Sequence, residues 1–278
     1  MNRVRLGAVG FLNARPLVYG LERSARFELR FDVPSRCADL LHQDRIDIGL
    51  IPSIEYLRIP SGAGHHEGNG YRIVPDLAIA SRGPVASVAL YTTRPLTEVR
   101  AIAMDTSSRT SVALVRVLCA RRFGIEPALE PRGPDLALML ESCDAALLIG
   151  DIALFQQDGQ PTADARPLTV QKIDLGEVWT SMTGLPFVWA FWAGRPDRLT
   201  GDDVQVLRQA RDAGVAAPEA IARQYLEGHP ERQAAGARYL RDNIKYHLGP
   251  DERAGLELFY RYAAEAGVVN AVEPLRFY

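Results

Sequence analysis

The sequence predicts an α/β protein of two lobes with a ligand cleft between them. Apolar strand-like runs alternate with helical segments over residues 3–192, and only helical segments follow from residue 200. At four places a strand-like run ends in a polar turn that begins a helix. Because ligands of open α/β sheets bind outside the carboxyl ends of the strands, these four turns predict the walls of the cleft.

The composition is typical of a globular protein of about two domains. The chain of 278 residues is 47% hydrophobic and 24% charged. Its 32 basic and 34 acidic residues are interspersed, so we expect a small-molecule partner and no nucleic acid. We expect no membrane span, because no run of 18 apolar residues occurs. The N-terminus shows no signal-peptide pattern, which predicts a cytoplasmic protein. The oligomeric state is not indicated.

The sequence predicts neither a metal nor an organic cofactor. His65, His66 and Glu67 lie in a glycine-rich loop over residues 61–70, which offers no rigid scaffold and no further ligands for a metal. The three cysteines are widely spaced, so they indicate reduced structural thiols rather than a disulfide framework or a zinc site.

The first lobe begins with a predicted strand over residues 3–9 and the first polar turn. Asn13 in this turn precedes a short helix, whose first turn suits Pro16. Asn13 either caps that helix or offers its amide to a ligand, and the stretch leaves both interpretations open. The next elements are a strand over residues 27–33, a helix from residue 34 and a buried strand over residues 46–51. In the second polar turn, Ser53 begins a helix.

Two further strands, residues 73–80 and 85–92, are joined by a turn. Ser87 lies just inside the second of them. Its hydroxyl either faces the cleft or tolerates a half-buried position, and this stretch alone does not decide between the two.

The third polar turn, residues 105–111, is the richest in hydroxyl groups. Its sequence Asp-Thr-Ser-Ser-Arg-Thr-Ser joins a strand over residues 99–104 to an amphipathic helix over residues 110–122. N–H groups at a helix start lack intrahelical partners, and the helix dipole favours negative charge there. An N-cap needs only one hydroxyl, so the others and Arg109 favour a site for a carboxylate or phosphate.

The fourth polar turn, Gly150 and Asp151, follows a buried strand over residues 145–149. Asp151 is either an N-cap or a polar residue of the cleft. Thr183 and Gly184 precede the aromatic strand of the next segment.

That aromatic strand, residues 188–192, predicts core and cleft wall, because no basic residues interleave with its rings. The helices that follow, over residues 202–212, 218–226, 230–246 and 250–266, show no polar constellation and are interpreted as packing for one lobe. We place the first lobe at residues 1–93 plus 189–278 and the second at residues 94–188.

Six separated motifs agree in order with one family. They are Phe11-Leu12-Asn13 with Pro16-Leu17, Asp47-Ile48-Gly49, Gly83-Pro84-Val85 with Ser87, Thr106-Ser107-Ser108-Arg109-Thr110-Ser111, Leu148-Ile149-Gly150-Asp151 and Thr183-Gly184-Leu185-Pro186-Phe187. In these motifs the sequence resembles the chorismate dehydratases of the futalosine route to menaquinone (vitamin K2). The resemblance implies a type II periplasmic-binding-protein-like fold with C-terminal helices. It also implies a cytoplasmic lyase that converts chorismate to 3-[(1-carboxyvinyl)oxy]benzoate and water without a cofactor.

The resemblance places the family's catalytic residues at Asn13 and Ser87, and the substrate carboxylate at the turn over residues 107–111. We expect the polar groups at and after the turns to bind substrate: Ser53, Thr106, Ser107, Ser108, Arg109, Thr110, Ser111, Gly150, Asp151, Thr183 and Gly184.

The chemistry agrees with a cleft of this kind, except that a base is hard to find. Chorismate is a dianion, which suits hydroxyls, an arginine and helix N-termini. No site motif offers a His, Lys or Glu without an obvious structural role, which leaves Asp151 and Glu55 as the carboxylates to consider for the base. We therefore hypothesise that the enolpyruvyl carboxylate of the substrate takes the ring proton while Asn13 and Ser87 orient it.

Two alternatives remain at this stage. A binding protein of the same fold would hold an anion without changing it. The sibling 1,4-dihydroxy-6-naphthoate synthase is expected to use a cleft histidine as base, and none of the histidines lies at a strand-to-helix turn: His42, His65, His66, His229 and His247.

Overall fold

Two five-stranded sheets frame the structure, a computed structural model that describes residues 3–58, 70–156 and 170–278. The strands are β1 (Val4–Val9), β2 (Phe27–Asp32), β3 (Ile48–Pro52), β4 (Arg72–Ser81), β5 (Val88–Thr92), β6 (Ala101–Asp105), β7 (Ala128–Arg132), β8 (Ala145–Ile149), β9 (Gln171–Asp174) and β10 (Phe187–Gly194). The α-helices are α1 (Pro34–His42), α2 (Arg109–Leu118), α3 (Leu136–Ser142), α4 (Gly150–Phe155), α5 (Leu175–Thr183), α6 (Gly201–Val215), α7 (Pro218–Tyr225), α8 (Pro230–Arg238) and α9 (Pro250–Glu265).

Each sheet forms the centre of one lobe. The first has the order β2-β1-β3-β10-β4, with β1 parallel to β2 and β3 and with β10 antiparallel to both of its neighbours. The second has the order β7-β6-β8-β5-β9, with β6 parallel to β7 and β8 and with β5 antiparallel to both of its neighbours. The two mixed sheets therefore share one design, and the predicted two-lobed α/β fold is confirmed.

The chain crosses from the first sheet to the second between β4 and β5, and it returns between α5 and β10. The predicted division after residue 93 left β5 in the first lobe. In the structure β5 lies inside the second sheet, because its backbone pairs with both β8 and β9. The first crossing consequently spans residues 82–87 and includes Ser87.

The helices after β10 pack mainly on the first lobe. Helix α6 approaches the 3-10 helix Leu12–Val18 so closely that a Cβ on Gly214 would come within 2.3 Å of the backbone oxygen of Pro16. Helix α9 packs on β10 and also reaches α2.

The predicted helix over residues 230–246 is broken in the structure. Helix α8 ends at Arg238, a π-helical turn covers Tyr239–Asn243, and the backbone of Lys245 then pairs with that of Ala80 in β4. This turn brings Tyr239 to the interior, where it is 3% exposed.

The aromatic strand β10 is buried along its whole length. Phe187 contacts Trp179 of α5 at 5.1 Å and Phe259 of α9 at 4.8 Å between ring centroids, both in edge-on geometry. The prediction that its rings form core and cleft wall is confirmed, since Trp189 lines the cleft described below.

The elements that the sequence did not predict are mostly short edge elements. Strands β7 and β9 lie at the two edges of the second sheet and are half exposed, so they lack the apolar alternation of buried strands. The predicted loop over residues 61–70, with His65, His66 and Glu67, falls almost wholly outside the described residues. No helix within the described ranges is long and apolar enough to cross a membrane.

Candidate functional site

A cleft between the two sheets collects residues from both lobes. Its apolar lining includes Phe11, Pro34, Ile79 and Trp189. The amide and hydroxyl side chains that line it, within the described part of the chain, are Asn13, Ser87, Ser108 and Ser111. No ionisable side chain from the described ranges lines it. The cleft is therefore neutral in its side chains and polar at only a few points.

One polar side of the cleft, called the serine wall here, consists of Ser108 and Ser111 at the start of α2. Ser108 is the N-cap, and its hydroxyl oxygen accepts a hydrogen bond from the backbone N–H of Ser111 at 3.4 Å. The two hydroxyl oxygens lie 2.9 Å apart. Backbone N–H groups and hydroxyls thus converge at the positive end of a helix dipole, an arrangement suited to an anion.

Arg109 lies between the two serines of the serine wall in sequence but does not line the cleft. Its guanidinium crosses to the first lobe and donates to Asp39 at 2.7 Å and to Glu55 at 2.8 Å. Burial would raise the pKa of Glu55, but hydrogen bonds from His42 and Arg109 and the charge of Arg109 lower it below its ordinary value. The arginine predicted for substrate therefore joins the lobes in this structure.

The remaining polar residues of the turn also serve contacts within the protein. Ser107 donates its hydroxyl to Asp105 at 2.6 Å, and Thr106 is exposed. Thr110 accepts from the backbone N–H of Ile54 at 3.2 Å and lies 3.3 Å from the hydroxyl of Ser53. Ser53 in turn donates to the backbone oxygen of Val188 at 2.8 Å. Thr110 and Ser53 thus connect the lobes behind the cleft, and none of these four residues lines it.

A second polar part of the cleft lining, called the amide wall here, consists of Asn13 and Ser87, with Tyr239 behind Ser87. The Tyr239 hydroxyl donates to the hydroxyl oxygen of Ser87 at 2.7 Å. Burial raises the pKa of Tyr239, and hydrogen bonding to Ser87 and Asn13 works against that rise. The amide oxygen of Asn13 is buried and has no hydrogen-bond partner among the described residues.

Ser87 is aimed into the cleft by an unusual backbone. Ala86 has φ +64°, a left-handed conformation that costs a non-glycine residue about 1 kcal/mol or more. The carboxylate of Asp174 compensates by accepting from the backbone N–H groups of Val85 at 3.0 Å and of Ala86 at 2.6 Å. The first crossing is thus anchored to the N-cap of α5.

The fourth predicted turn contributes backbone rather than a side chain. Gly150 lines the cleft with φ +65°, and a Cβ there would come within 3.0 Å of the Phe11 ring, so both conformation and space require glycine. Asp151 is turned away from the cleft lining. It accepts from the backbone N–H of Leu12 at 3.1 Å and from the Tyr225 hydroxyl at 2.5 Å, and burial raises its pKa.

Thr183 and Gly184 lie at the end of α5 and do not line the cleft. Thr183 donates to the backbone oxygen of Trp179 at 2.9 Å, and Gly184 adopts the left-handed conformation that ends the helix. Both residues position the return crossing.

Tyr239 and Tyr225 are polar contributors to the site region that the sequence did not indicate. The C-terminal helices were interpreted as packing without a polar constellation, but their tyrosines reach Ser87 and Asp151. The only signal in the sequence was a tyrosine inside a predicted helix, which more often means core. No histidine of the described residues lines the cleft.

Comparisons with known proteins agree on one family. A protein-family model for menaquinone biosynthesis matches residues 4–265. A chorismate dehydratase from Thermus thermophilus is 32% identical over 266 residues, which span 91% of this chain and 93% of that protein.

Two solved structures share the fold. A protein from Archaeoglobus fulgidus superposes with a TM-score of 0.71 at 16% identity, covering 96% of this chain and 98% of its own. The periplasmic aliphatic sulphonate binding protein of Escherichia coli gives a TM-score of 0.63 at 15% identity, covering 100% of this chain and 94% of its own. The periplasmic-binding-protein-like fold expected from the sequence is confirmed.

Proposed function

Since the chain belongs to the menaquinone biosynthesis family, whose members include chorismate dehydratases, we propose that it converts chorismate to 3-[(1-carboxyvinyl)oxy]benzoate and water. The observation that carries this proposal is the pairing of an anion-binding helix start with a neutral amide and hydroxyl across one cleft. Such a cleft binds a carboxylate substrate but supplies no side-chain base. The reaction class is that of a hydro-lyase.

The serine wall binds one carboxylate of chorismate. Ser108, Ser111 and the free N–H groups of α2 donate to it, and each charge-assisted hydrogen bond contributes about 1.5–3 kcal/mol. The helix dipole adds about 0.3–1 kcal/mol, or up to about 2 kcal/mol when the anion is partly buried. Micromolar affinity needs about 8 kcal/mol, so the apolar lining and the amide wall must supply the rest.

The elimination needs no group from outside the substrate. The C3–H bond breaks, its proton goes to the enolpyruvyl carboxylate, and its electron pair is delocalised over the ring alkene and the C1 carboxylate. That pair then forms the C3=C4 double bond as the C4–O bond breaks, and the departing hydroxide takes the proton from the enolpyruvyl carboxylic acid to leave as water. C3 is acidified because its carbanion conjugates through the ring alkene to the C1 carboxylate, and aromatisation drives the second step.

Asn13 and Ser87 orient the enolpyruvyl carboxylate toward C3 in this proposal. Their role is positioning at the reacting atoms, which can account for a large share of a barrier when the reaction is intramolecular. Glu55 and Asp151 are poor candidates for the base, because each is committed to partners outside the cleft lining.

The test is to mix the purified chain with chorismate and to follow the ultraviolet spectrum and the product mass. We expect an aromatic absorption to appear together with a product lighter than chorismate by one water. Chorismate that is bound but unchanged would contradict the proposal and favour a binding protein of the same fold. Conversion of a later pathway intermediate instead would favour the sibling synthase, although no described histidine lines the cleft.

We further propose that the chain acts in the cytoplasm. All three cysteines, Cys37, Cys119 and Cys143, are free and buried, as is usual for proteins of a reducing compartment. Fractionation of the native cells with an antibody against the chain tests this location, and recovery with secreted proteins would contradict it.

A further inference from the structure

Tyr239 occupies a position between the two polar residues of the amide wall. It lies in the π-helical turn after α8, and its hydroxyl donates to Ser87 at 2.7 Å across 152 residues of sequence. The Asn13 side chain lies near enough to the same hydroxyl for hydrogen bonding between them to oppose the rise in the pKa of Tyr239. One phenolic oxygen therefore contacts both residues that line this side of the cleft.

The hydroxyl of Tyr239 has one proton, so its contacts have fixed directions. Burial raises the pKa of Tyr239, which keeps that proton in place at working pH. Because the proton is donated to Ser87, the phenolic oxygen can only accept from Asn13. The amide NH2 of Asn13 thus faces Tyr239, in agreement with the unpartnered amide oxygen of Asn13. Ser87, which accepts from Tyr239, keeps its own proton for donation into the cleft.

We infer that Tyr239 is a positioning residue that fixes the hydrogen-bond direction of the amide wall, so that the substrate meets one acceptor, Asn13 Oδ1, beside one donor, Ser87 Oγ–H. The inference rests on the proposed dehydration of chorismate and deepens it. It concerns how the enolpyruvyl carboxylate becomes an adequate base.

The donor and acceptor act on the two oxygens of that carboxylate in different ways. The Ser87 hydroxyl donates to one oxygen and holds it in place. The carbonyl of Asn13 faces the other oxygen, which disfavours the ionised carboxylate and raises its pKa. Once the C3 proton has arrived, the resulting carboxylic acid donates to Asn13 Oδ1. The interaction is therefore more favourable as the proton is transferred than in the ground state, which is the requirement for acceleration.

Loss of the Tyr239 hydroxyl allows the side-chain amide of Asn13 to rotate by about 180°, which exchanges its oxygen and its NH2 group. Its NH2 group then faces the carboxylate and stabilises the ionised form, which improves binding of the substrate but makes the carboxylate a weaker base. A purely structural role of the hydroxyl would not produce this opposite change in binding and turnover.

The experiment compares Tyr239→Phe with a matched control, Tyr260→Phe. Tyr260 is also fully buried in a C-terminal helix and donates to a first-lobe group, the backbone oxygen of Ser53 at 2.6 Å. Both variants lose one buried hydroxyl together with the hydrogen bond that it donates, so thermal melts should show similar small losses of stability. We expect Tyr239→Phe to lose roughly 10- to 100-fold in kcat with KM unchanged or lower, and Tyr260→Phe to retain kcat.

A second comparison shows whether Tyr239 acts through the amide wall. In a chain that already carries Asn13→Ala and Ser87→Ala, adding Tyr239→Phe should reduce the residual kcat no further, because the groups it directs are gone. Calorimetric binding of chorismate to Tyr239→Phe also gives a readout that requires only folded protein, and its Kd should be equal to or below that of the unmodified chain.

Three results would overturn the inference while the proposed function stands. They are equal losses of kcat in the two phenylalanine variants, a raised KM with unchanged kcat in Tyr239→Phe, and a further loss from Tyr239→Phe in the doubly substituted background. An unmodified chain that leaves chorismate intact would overturn the proposed function, and this inference with it.

Discussion

The two polar walls of the cleft differ in what holds their donors and acceptors in place. The serine wall presents the start of one helix, where backbone N–H groups and two hydroxyls converge. The amide wall presents single atoms from two distant segments, Asn13 and Ser87, whose directions depend on Tyr239 in a third segment. The first arrangement attracts any anion of suitable size, whereas the second distinguishes protonated from ionised groups. Binding and chemistry are thus assigned to different walls of one cleft.

The largest effect is expected when the polar side chains of the amide wall are removed, which tests whether this wall carries the chemistry. We expect Asn13→Ala and Ser87→Ala each to lower kcat by roughly 100-fold or more and to change KM by less than about threefold. The physical reason is that the carboxylate still binds at the serine wall but is no longer directed at C3. Steady-state kinetics with chorismate measures both parameters, and unchanged turnover in the two variants would refute the assignment.

Removing the serine wall should have a smaller effect of the opposite kind. We expect the double variant Ser108→Ala, Ser111→Ala to raise KM roughly tenfold with little change in kcat. Water that enters the vacated positions replaces much of the lost hydrogen bonding, so the net loss is about 1.4 kcal/mol in ground state and transition state alike. Thr106→Ala serves as the control, since Thr106 belongs to the same turn but is exposed and does not line the cleft. A fall in kcat at constant KM would mean that the serines take part in the chemistry.

Glu55 gives a test of the contacts behind the cleft. We expect Glu55→Gln to lower the free energy of unfolding by about 1 kcal/mol at neutral pH, because the amide replaces a buried carboxylate that accepts from Arg109 and His42. The folded-state pKa of Glu55 is lowered from its ordinary 4.5, so its contribution is present above that pH and is lost as the pH falls through the folded value.

Denaturant unfolding of both proteins over a pH series measures this effect. The gap between Glu55→Gln and the unmodified chain should close in acid. A gap that widens as the pH falls would contradict the direction of the pKa shift.

The smallest effect on binding is expected from Arg109→Met. The Arg109 guanidinium is engaged by Asp39 and Glu55, so KM should change by less than about threefold while the melting temperature falls. A direct charged contact with the substrate carboxylate would instead raise KM by roughly 10- to 100-fold on removal. A rise of that size would return Arg109 to the binding site and extend the serine wall by one residue.

The features that the sequence predicted well are those encoded within a few residues. The alternation of strands and helices and the hydroxyl-rich start of α2 are local patterns, and both occur in the structure. Arg109 is a different case, because its residue type indicated a ligand while its partners Asp39 and Glu55 lie more than fifty residues away in sequence. A local pattern cannot report that such a charge is already neutralised within the protein.

Tyr239 is the converse case, a residue of the site region that the local sequence pattern did not indicate. Its segment has the apolar spacing of a continuous helix, but a π-helical turn interrupts that helix and turns the tyrosine inward. The interruption is stabilised by tertiary contacts such as the pairing of Lys245 with Ala80 in β4. The predicted boundary between the lobes was placed after β5 instead of before it for a related reason. No feature in the sequence of β5 indicates which of the two sheets the strand joins.

The position of Ser87 on the first crossing determines which cleft residues are already in place relative to one another before substrate binds. Any movement that separates the lobes pivots near the crossings, since among the described residues the chain passes from one sheet to the other only there. Asn13 and the turn that carries Tyr239 both belong to the first lobe, and Ser87 lies next to the pivot. These three residues can thus remain assembled in an open molecule, while Ser108 and Ser111 move with the second lobe. Because the amide wall is preassembled, the entropic cost of closing the lobes would fall on the serine wall, which binds the anion but takes no part in the chemistry.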